Sequence, residues 1–372
     1  MKTFKLAISC GGTGGHFYPG LATACELTAA GGDAVLLLSG KNGKKWAAAA
    51  KEQNIKAVVL PEIPSPSFKH PAAMLKFIFG TLKGAKMAQK AMKEFAPDAF
   101  LCMGSFASLP SMLAARRLKL KCFLHDGNAK VGKANRYFSR KAEFLGIAFP
   151  PVNPEKLHCP WEVTGMPLRL NSSVRIKRED AIVNLNKRYS VNLDAKRITI
   201  LIFGGSQGAR SINVAFSRVL TELSGKRNDI QVIHLCGNPD YEVMASLWKK
   251  TDFPVLLLPY SDEMQNIYSC ADLAISRSGG SSVSELALFG IPSVLVPYPF
   301  AAENHQWYNA EYLAKAGAAR IVANDECNAK AGQLLEEFFS DNARFQPEEP
   351  VFQCLAKPDA AAKLLEAISE RL

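Results

Sequence analysis

Two glycine-rich turns carry the first chemical signal in this chain, Gly11-Gly12-Thr13-Gly14-Gly15 and Gly204-Gly205-Ser206-Gln207-Gly208. Each follows a short apolar run and opens a segment of helical length. Glycines in such a place let backbone N–H groups approach an anion closely, and the following helix aims its partial positive end at the same point. Phosphate binding is the chemistry suggested, with tight packing of the turn as the plainer alternative. Neither turn ends in Gly-Lys-Ser/Thr, and the first does not fit G-x-G-x-x-G over its whole spacing, which argues against nucleotide hydrolysis and hydride transfer. His16 follows the first turn at a helix start, where the terminus disfavours a protonated imidazole. A neutral ring there would take the proton of an attacking hydroxyl; otherwise it only braces the loop.

Two later stretches add polar groups. Arg277-Ser278-Gly279-Gly280-Ser281-Ser282-Val283-Ser284-Glu285 leaves a strand and enters a helix, offering backbone donors, hydroxyls and one carboxylate. A nucleoside diphosphate uses all three, with Glu285 accepting from ribose hydroxyls; alternatively Ser282 and Glu285 form a capping box. Ala302 to Asn309, dense in polar and aromatic groups, follows a strand ending at Pro297. It is expected at the carboxyl edge of a sheet, as a ligand loop or as a helix cap with core-packed aromatics.

These residues need elements to hold them. Phe4–Ser9, Val35–Ser39, Ala57–Leu60, Ala99–Cys102 and Cys122–His125 read as strands, separated by helix-length segments. A second series, Ile198–Phe203, Gln231–Leu235, Val255–Leu258, Leu273–Ser276 and Ser293–Val296, repeats the plan. Continuous Leu/Val/Ile runs of this length indicate parallel strands buried on both faces. The expected fold class is α/β, with two doubly wound Rossmann-like domains facing a central ligand cleft. The join falls near Thr164-Gly165-Met166-Pro167, giving domains at 1–165 and 166–354, with 355–372 packing back on the first through apolar positions Ala361, Leu364, Leu365 and Ile368.

At 372 residues and 48% hydrophobic composition, the chain has material for two cores. The net charge of +11 is uneven: residues 1–165 hold 23 Lys/Arg against 10 Asp/Glu, and the remainder 22 against 24. An excess confined to one half suggests an anionic partner for that half or a solvated basic surface. Nucleic acid is not expected, because no recognised motif accompanies the charge. The nine cysteines include no C-x-x-C pair, so neither a zinc site nor a disulfide framework is expected. Met1–Cys10 reads as a first strand of a cytoplasmic protein instead of a signal peptide. No apolar stretch reaches the roughly 18–20 residues of a membrane span.

Residues 74–95 combine both signals. At helical spacing Lys76, Lys83, Lys86, Lys90 and Lys93 share one arc, with Leu75, Phe79 and Leu82 on or beside it. The opposite side carries Phe77, Ile78, Ala85, Ala88, Ala91, Met92 and Phe95, enough to bury against a sheet. Such a face either docks on anionic lipid or is simply solvated.

Taken together, GGTGGH, GGSQGAR, SRSGGSSVSE and HQWYNAEYLAKAGAA resemble the peptidoglycan N-acetylglucosaminyltransferase (MurG) family over most of the chain. The resemblance implies a GT-B fold and an inverting reaction needing no metal or other cofactor. N-acetylglucosamine would pass from its UDP donor to the 4-hydroxyl of N-acetylmuramic acid on undecaprenyl-diphosphate-linked lipid I, giving lipid II. It further implies His16 as catalytic base, and a donor surrounded by Thr13, Gly14, Gly15, Asn128, Arg169, Ser206, Ser261, Gly280 to Glu285 and Gln306. Leu75, Lys76, Phe79, Leu82, Lys83, Lys86 and Lys90 would dock on anionic lipid at the cytoplasmic face of the bacterial inner membrane. Three stretches depart from the family pattern: His125-Asp126-Gly127-Asn128 where His-Glu-Gln-Asn is usual, Gly165-Met166-Pro167 where Gly-Asn-Pro is usual, and Met103-Gly104-Ser105-Phe106. Acceptor recognition is what they touch. A transferase acting on diacylglycerol, or a silent membrane adaptor of the same fold, would share these features.

Overall fold

In the computed structural model, the described residues are 3–63, 71–169, 175–205, 208–340 and 349–372. The chain forms two compact units, Met1–Arg169 with Pro358–Leu372, and Leu170–Lys357. The first unit thus extends four residues beyond the expected join, and the return to it begins at Pro358.

The first unit holds seven parallel strands, β1 (Lys5–Gly11), β2 (Asp33–Ser39), β3 (Lys56–Val59), β4 (Ala99–Cys102), β5 (Lys121–Asp126), β6 (Phe144–Ile147) and β7 (Trp161–Val163), in the order β3-β2-β1-β4-β5-β6-β7. Its helices are α1 (Gly14–Ala29), α2 (Gly43–Glu52), α3 (Pro71–Phe95), α4 (Leu109–Arg117) and α5 (Lys133–Phe138). Successive residues of a strand face opposite sides of a sheet, so the apolar runs feed two cores at once. Leu6, Ile8, Leu36 and Leu38 pack with Phe17, Leu21 and Trp46 of α1 and α2. Ala7, Val35 and Leu37 pack with Met92 of α3, Met112 of α4 and Phe138 of α5.

The second unit repeats this with six parallel strands, β8 (Ile198–Phe203), β9 (Ile230–Leu235), β10 (Val255–Leu258), β11 (Leu273–Ser276), β12 (Ser293–Leu295) and β13 (Ala319–Ile321), in the order β10-β9-β8-β11-β12-β13. Its helices are α6 (Arg178–Tyr189), α7 (Arg210–Glu222), α8 (Tyr241–Trp248), α9 (Met264–Cys270), α10 (Gly280–Phe289), α11 (His305–Lys315), α12 (Cys327–Ser340) and α13 (Glu349–Leu355). Ile200, Ile202 and Val232 pack against Phe216 of α7, Trp248 of α8 and Leu335 of α12.

Helix α14 (Ala360–Ser369) lies on the first unit, where Leu364, Leu365 and Ile368 are fully buried in the core containing Phe17. Each such side chain contributes roughly 1.5–3 kcal/mol on burial. Lys121 Nζ also donates to the Arg371 carbonyl at 2.6 Å, and Arg371 lies 4.4 Å from the Phe144 ring centroid.

The strand order reverses between β1 and β4 in one sheet and between β8 and β11 in the other. Ligands of open α/β sheets bind outside the carboxyl ends of the strands at such switch points. Both glycine turns, at the ends of β1 and β8, lie there. All nine cysteines are free thiols, and no helix among the described residues is long and apolar enough to cross a membrane.

Candidate active site

At the first switch point the chain needs glycine for a steric reason. A Cβ on Gly11 (φ +138°) would sit 2.5 Å from the Ser39 carbonyl oxygen, and Gly12 N donates to that oxygen at 2.8 Å. This close crossing delivers Thr13 to the N-cap of α1, where its side chain makes no cap hydrogen bond. Thr13 Oγ1 instead lies 3.0 Å from His16 Nδ1. With the proton on Nδ1 and donated to Thr13, Nε2 becomes the basic position of the ring. The imidazole lies against the backbone of Gly104 (φ +92°), where a Cβ would come 3.6 Å from Nε2.

Beside it the end of β5 carries a buried polar cluster. His125 Nε2 donates to the Gly165 carbonyl at 2.9 Å. Burial pushes His125 down to about 4, the Gly165 hydrogen bond opposes this, and a charge on His16 would add to it. Asp126 accepts from Asn128 N, Gly132 N and Asn135 Nδ2 at 3.1, 2.9 and 3.0 Å. Burial raises its carboxyl above the usual range, and those hydrogen bonds pull it back. Asn135 Nδ2 also donates to the His125 carbonyl, which ties α5 back to the end of β5. The departures from the family pattern meet here: a Cβ on Gly127 would lie 2.6 Å from Met166 Cε, and Met166 is buried. A small residue at 127 leaves the volume that Met166 fills. Phe106 is exposed at the rim, after Ser105, which adopts a left-handed φ of +74°.

Arg169 is placed by a residue that sequence reading did not single out. Its guanidinium lies 4.4 Å from the centroid of the Tyr18 ring on α1, and Tyr18 meets Trp46 edge-on at 5.6 Å. Only contact in space links Arg169 to Tyr18, and no local spacing signals it.

In the second unit, Gly208 N donates to the Gly205 carbonyl at 3.0 Å, and Ala209 precedes the first residue of α7. Ser206 lies outside the described residues. Helix α10 starts with Gly279 as N-cap and no side-chain cap. The capping-box alternative for Ser282 and Glu285 is therefore overturned: both lie inside the helix, and Glu285 is a turn too late to cap it. Glu285 Oε2 instead accepts from Tyr268 OH at 2.8 Å. Burial, followed by the nearby Glu285 charge and this bond, holds the Tyr268 phenol well above its usual 10, so it remains a donor. Val283 N donates to the Gly279 carbonyl at 3.0 Å. The amides of Gly280, Ser281 and Ser282 precede that bond and have no partner within the helix. The Val283 side chain is fully buried, whereas Ser281, Ser282 and Ser284 are half-buried.

Neighbouring loops complete this edge. Ser278 Oγ donates to the Gln306 carbonyl at 2.8 Å, and Gln306 Oε1 accepts from Tyr298 N at 2.9 Å. Arg277 donates to the Val296 and Pro297 carbonyls and to Ser211 Oγ, at 3.1, 3.3 and 3.2 Å. Burial lowers its pKa. Ser261, after β10, accepts from Glu263 N and pairs with Tyr189 OH, both at 3.0 Å. The structure thus gathers Ser278, Gly280–Ser282 and Gln306 at one edge of the second sheet. Thr13–His16, Asn128 and Arg169 belong to the first unit.

On α3, Leu75, Phe79 and Leu82 are 55%, 68% and 46% exposed, alongside exposed Lys76, Lys83, Lys86 and Lys90. Ile78, expected on the buried side, is exposed as well, which widens the apolar face. Gly84 is buried where a Cβ would meet Pro110 of α4 at 3.1 Å, so the glycine serves close helix packing.

Two domain models match in the same order as the two units: the glycosyltransferase family 28 N-terminal domain over residues 6–146 and the C-terminal domain over residues 199–364. With two switch-point turns on two parallel sheets, these define a two-domain glycosyltransferase. Among similar proteins, the UDP-N-acetylglucosamine--N-acetylmuramyl-(pentapeptide) pyrophosphoryl-undecaprenol N-acetylglucosamine transferase of Halothermothrix orenii is 32% identical, with 98% of each chain covered. Its Listeria monocytogenes counterpart is 30% identical at the same coverage. The crystal structure of Acinetobacter baumannii MurG matches with a TM-score of 0.75 and 26% identity, covering 99% of this chain and 100% of that one. The chain belongs to this family of pyrophosphoryl-undecaprenol N-acetylglucosamine transferases.

Proposed function

We propose that the chain transfers N-acetylglucosamine from UDP-N-acetylglucosamine to the 4-hydroxyl of the N-acetylmuramic acid of lipid I, giving lipid II with inversion at the sugar carbon. His16 Nε2 takes the hydroxyl proton while Thr13 holds Nδ1. The acceptor oxygen bonds to the anomeric carbon as the bond from that carbon to the diphosphate breaks, and UDP leaves. The second unit supplies the nucleotide cradle: amides at the heads of α7 and α10 face the diphosphate, and Glu285, oriented by Tyr268, takes the ribose hydroxyls. Arg169 and the helix ends offset the leaving charge in place of a cation. The observation that carries this reading is the head of α10 at the second switch point, with its unpaired amides and hydroxyls and a carboxylate held by a buried phenol.

Support also comes from the full-length likeness to named transferases. The test is transfer of labelled N-acetylglucosamine to lipid I, with diacylglycerol as competing acceptor and a chelator in parallel. Product on lipid I alone, undiminished by the chelator, is expected. Product on diacylglycerol alone would replace the acceptor, and loss of turnover with chelator would replace the charge argument.

For location, we propose peripheral attachment through Leu75, Phe79, Leu82 and the flanking lysines of α3. The exposed apolar face among cations supports it, since anionic lipid satisfies both at once.

A further inference from the structure

Beside Gly208 lies a buried chain of hydrogen bonds with a fixed direction. An indole N–H can only donate, so Trp248 Nε1, 3.0 Å from His234 Nδ1, leaves that nitrogen unprotonated and puts the imidazole proton on Nε2. Nε2 then donates to Asn213 Oδ1 at 3.1 Å. That choice orients the Asn213 amide, whose Nδ2 donates to the Cys236 carbonyl and to Asp240 Oδ2, each at 2.8 Å. Asp240 Oδ1 faces Arg210 Nη1, at the head of α7, at 3.6 Å. All four members of the chain are buried, His234 and Asn213 completely.

The far end of this chain reaches Gly208. Gly208 (φ +72°) runs so close to the Cys236 carbonyl that a Cβ would sit 2.4 Å from its oxygen. Asn213 therefore holds the carbonyl against which Gly208 rests, and its own N–H donates to the Ala209 carbonyl at 2.8 Å as α7 begins. Burying these polar groups carries a desolvation cost, and apolar packing would fill the core at least as well. What such a network adds is a single orientation for every member. We propose that the Trp248–His234–Asn213–Asp240 chain is a positioning relay that sets Gly208 and the head of α7 for the donor diphosphate, with His234 and Asn213 as positioning residues. This rests on the reading of the second unit as the donor-binding half.

The experiment compares calorimetric UDP affinity, donor and acceptor KM, kcat and Tm in the full-length protein and its variants. Trp248→Phe keeps an aromatic ring but removes the indole donor to His234 Nδ1, leaving only the Ser217 hydroxyl at 3.5 Å beside that nitrogen. The dissociation constant for UDP and the donor KM should each rise about five- to tenfold, with kcat and acceptor KM within twofold. Asp240→Ala, at the end of the chain that faces the exposed Arg210, should reproduce the defect more weakly, and Asp240→Asn should restore near-normal donor KM because an amide oxygen can still accept from Asn213. A lowered Tm with UDP affinity unchanged in both Trp248→Phe and Asp240→Ala would make the chain purely structural and overturn the proposal. Equal losses in donor and acceptor KM would overturn it too. A wild-type protein that binds no UDP would instead overturn the donor reading, and the proposal with it.

Discussion

His16 is the proposed base, and its environment sets a specific expectation. Removing a general base costs on the order of 10²- to 10⁴-fold in rate. His16→Ala should therefore lose turnover by about that factor while UDP binding, measured by calorimetry, stays unchanged, because the proposed nucleotide cradle belongs to the second unit. An unaltered rate would remove His16 from the mechanism. Gly127 and Met166 call for a different measurement. Their 2.6 Å approach means that a side chain at 127 must displace the Met166 methyl. Overpacking of this kind typically costs about 1–3 kcal/mol. Gly127→Val should lower stability by that order in denaturant unfolding, and Met166→Ala should recover most of the loss in the double variant. Additive effects would show that the two positions are not coupled.

Helix α3 shows how one element can serve both a core and a surface. Ala85, Ala88 and Met92 are buried, and Gly84 lets the helix approach Pro110 of α4, so the fold uses one face completely. The other presents lysines around Leu75, Ile78, Phe79 and Leu82, which contribute nothing to the described core. Changing Lys76, Lys83 and Lys90 to Glu should reduce co-sedimentation with anionic vesicles, and raised salt should weaken the wild-type interaction through screening. Circular dichroism should be unchanged, since these side chains are exposed. Insensitivity to both charge reversal and salt would leave the face merely solvated. Helix α10 divides its roles by position: Val283 goes to the core, the opening amides remain unpaired within the helix, and Glu285 faces Tyr268.

At the scale of the molecule, buried imidazoles link stability to acidity. Burial lowers His234 from 6.5 to about 3 and His125 to about 4. Between those values and 6.5 the unfolded chain binds protons that the folded chain does not, so stability is complete above about pH 6.5 and is lost as pH falls toward 4. Asp126, raised by burial, acts in the opposite sense beside His125, which leaves His234 as the clearer contributor. Tm should fall steadily from pH 6.5 to 4, and His234→Gln should flatten that slope. A slope unaltered by the substitution would exclude His234 as its source.

Much of this molecule is legible in its sequence for identifiable reasons. Strands β8, β10 and β11 have the expected bounds because buried parallel strands are uninterrupted apolar runs. Strands β6, β7 and β13 were not anticipated. β6 contains a glycine, while β7 and β13 are three-residue edge strands with few buried side chains, Ala319 alone among the six being buried. The glycine turns and His16 are visible because backbone approach demands particular residue types at adjacent positions. Tyr18 beneath Arg169, Tyr268 against Glu285 and Asn213 between His234 and Asp240 are not, because each depends on residues brought together from separate elements.

The sequence by itself determined the two-sheet plan, the position of each glycine turn and the family, since all of these are written in local periodicity and contiguous motifs. Tertiary structure alone decided which polar atoms meet: Glu285 is held by a phenol instead of capping its helix, and Gly127 and Met166 share one volume. Hydrogen-bond direction and packing volume are properties of pairs in space, and no spacing along the chain encodes them.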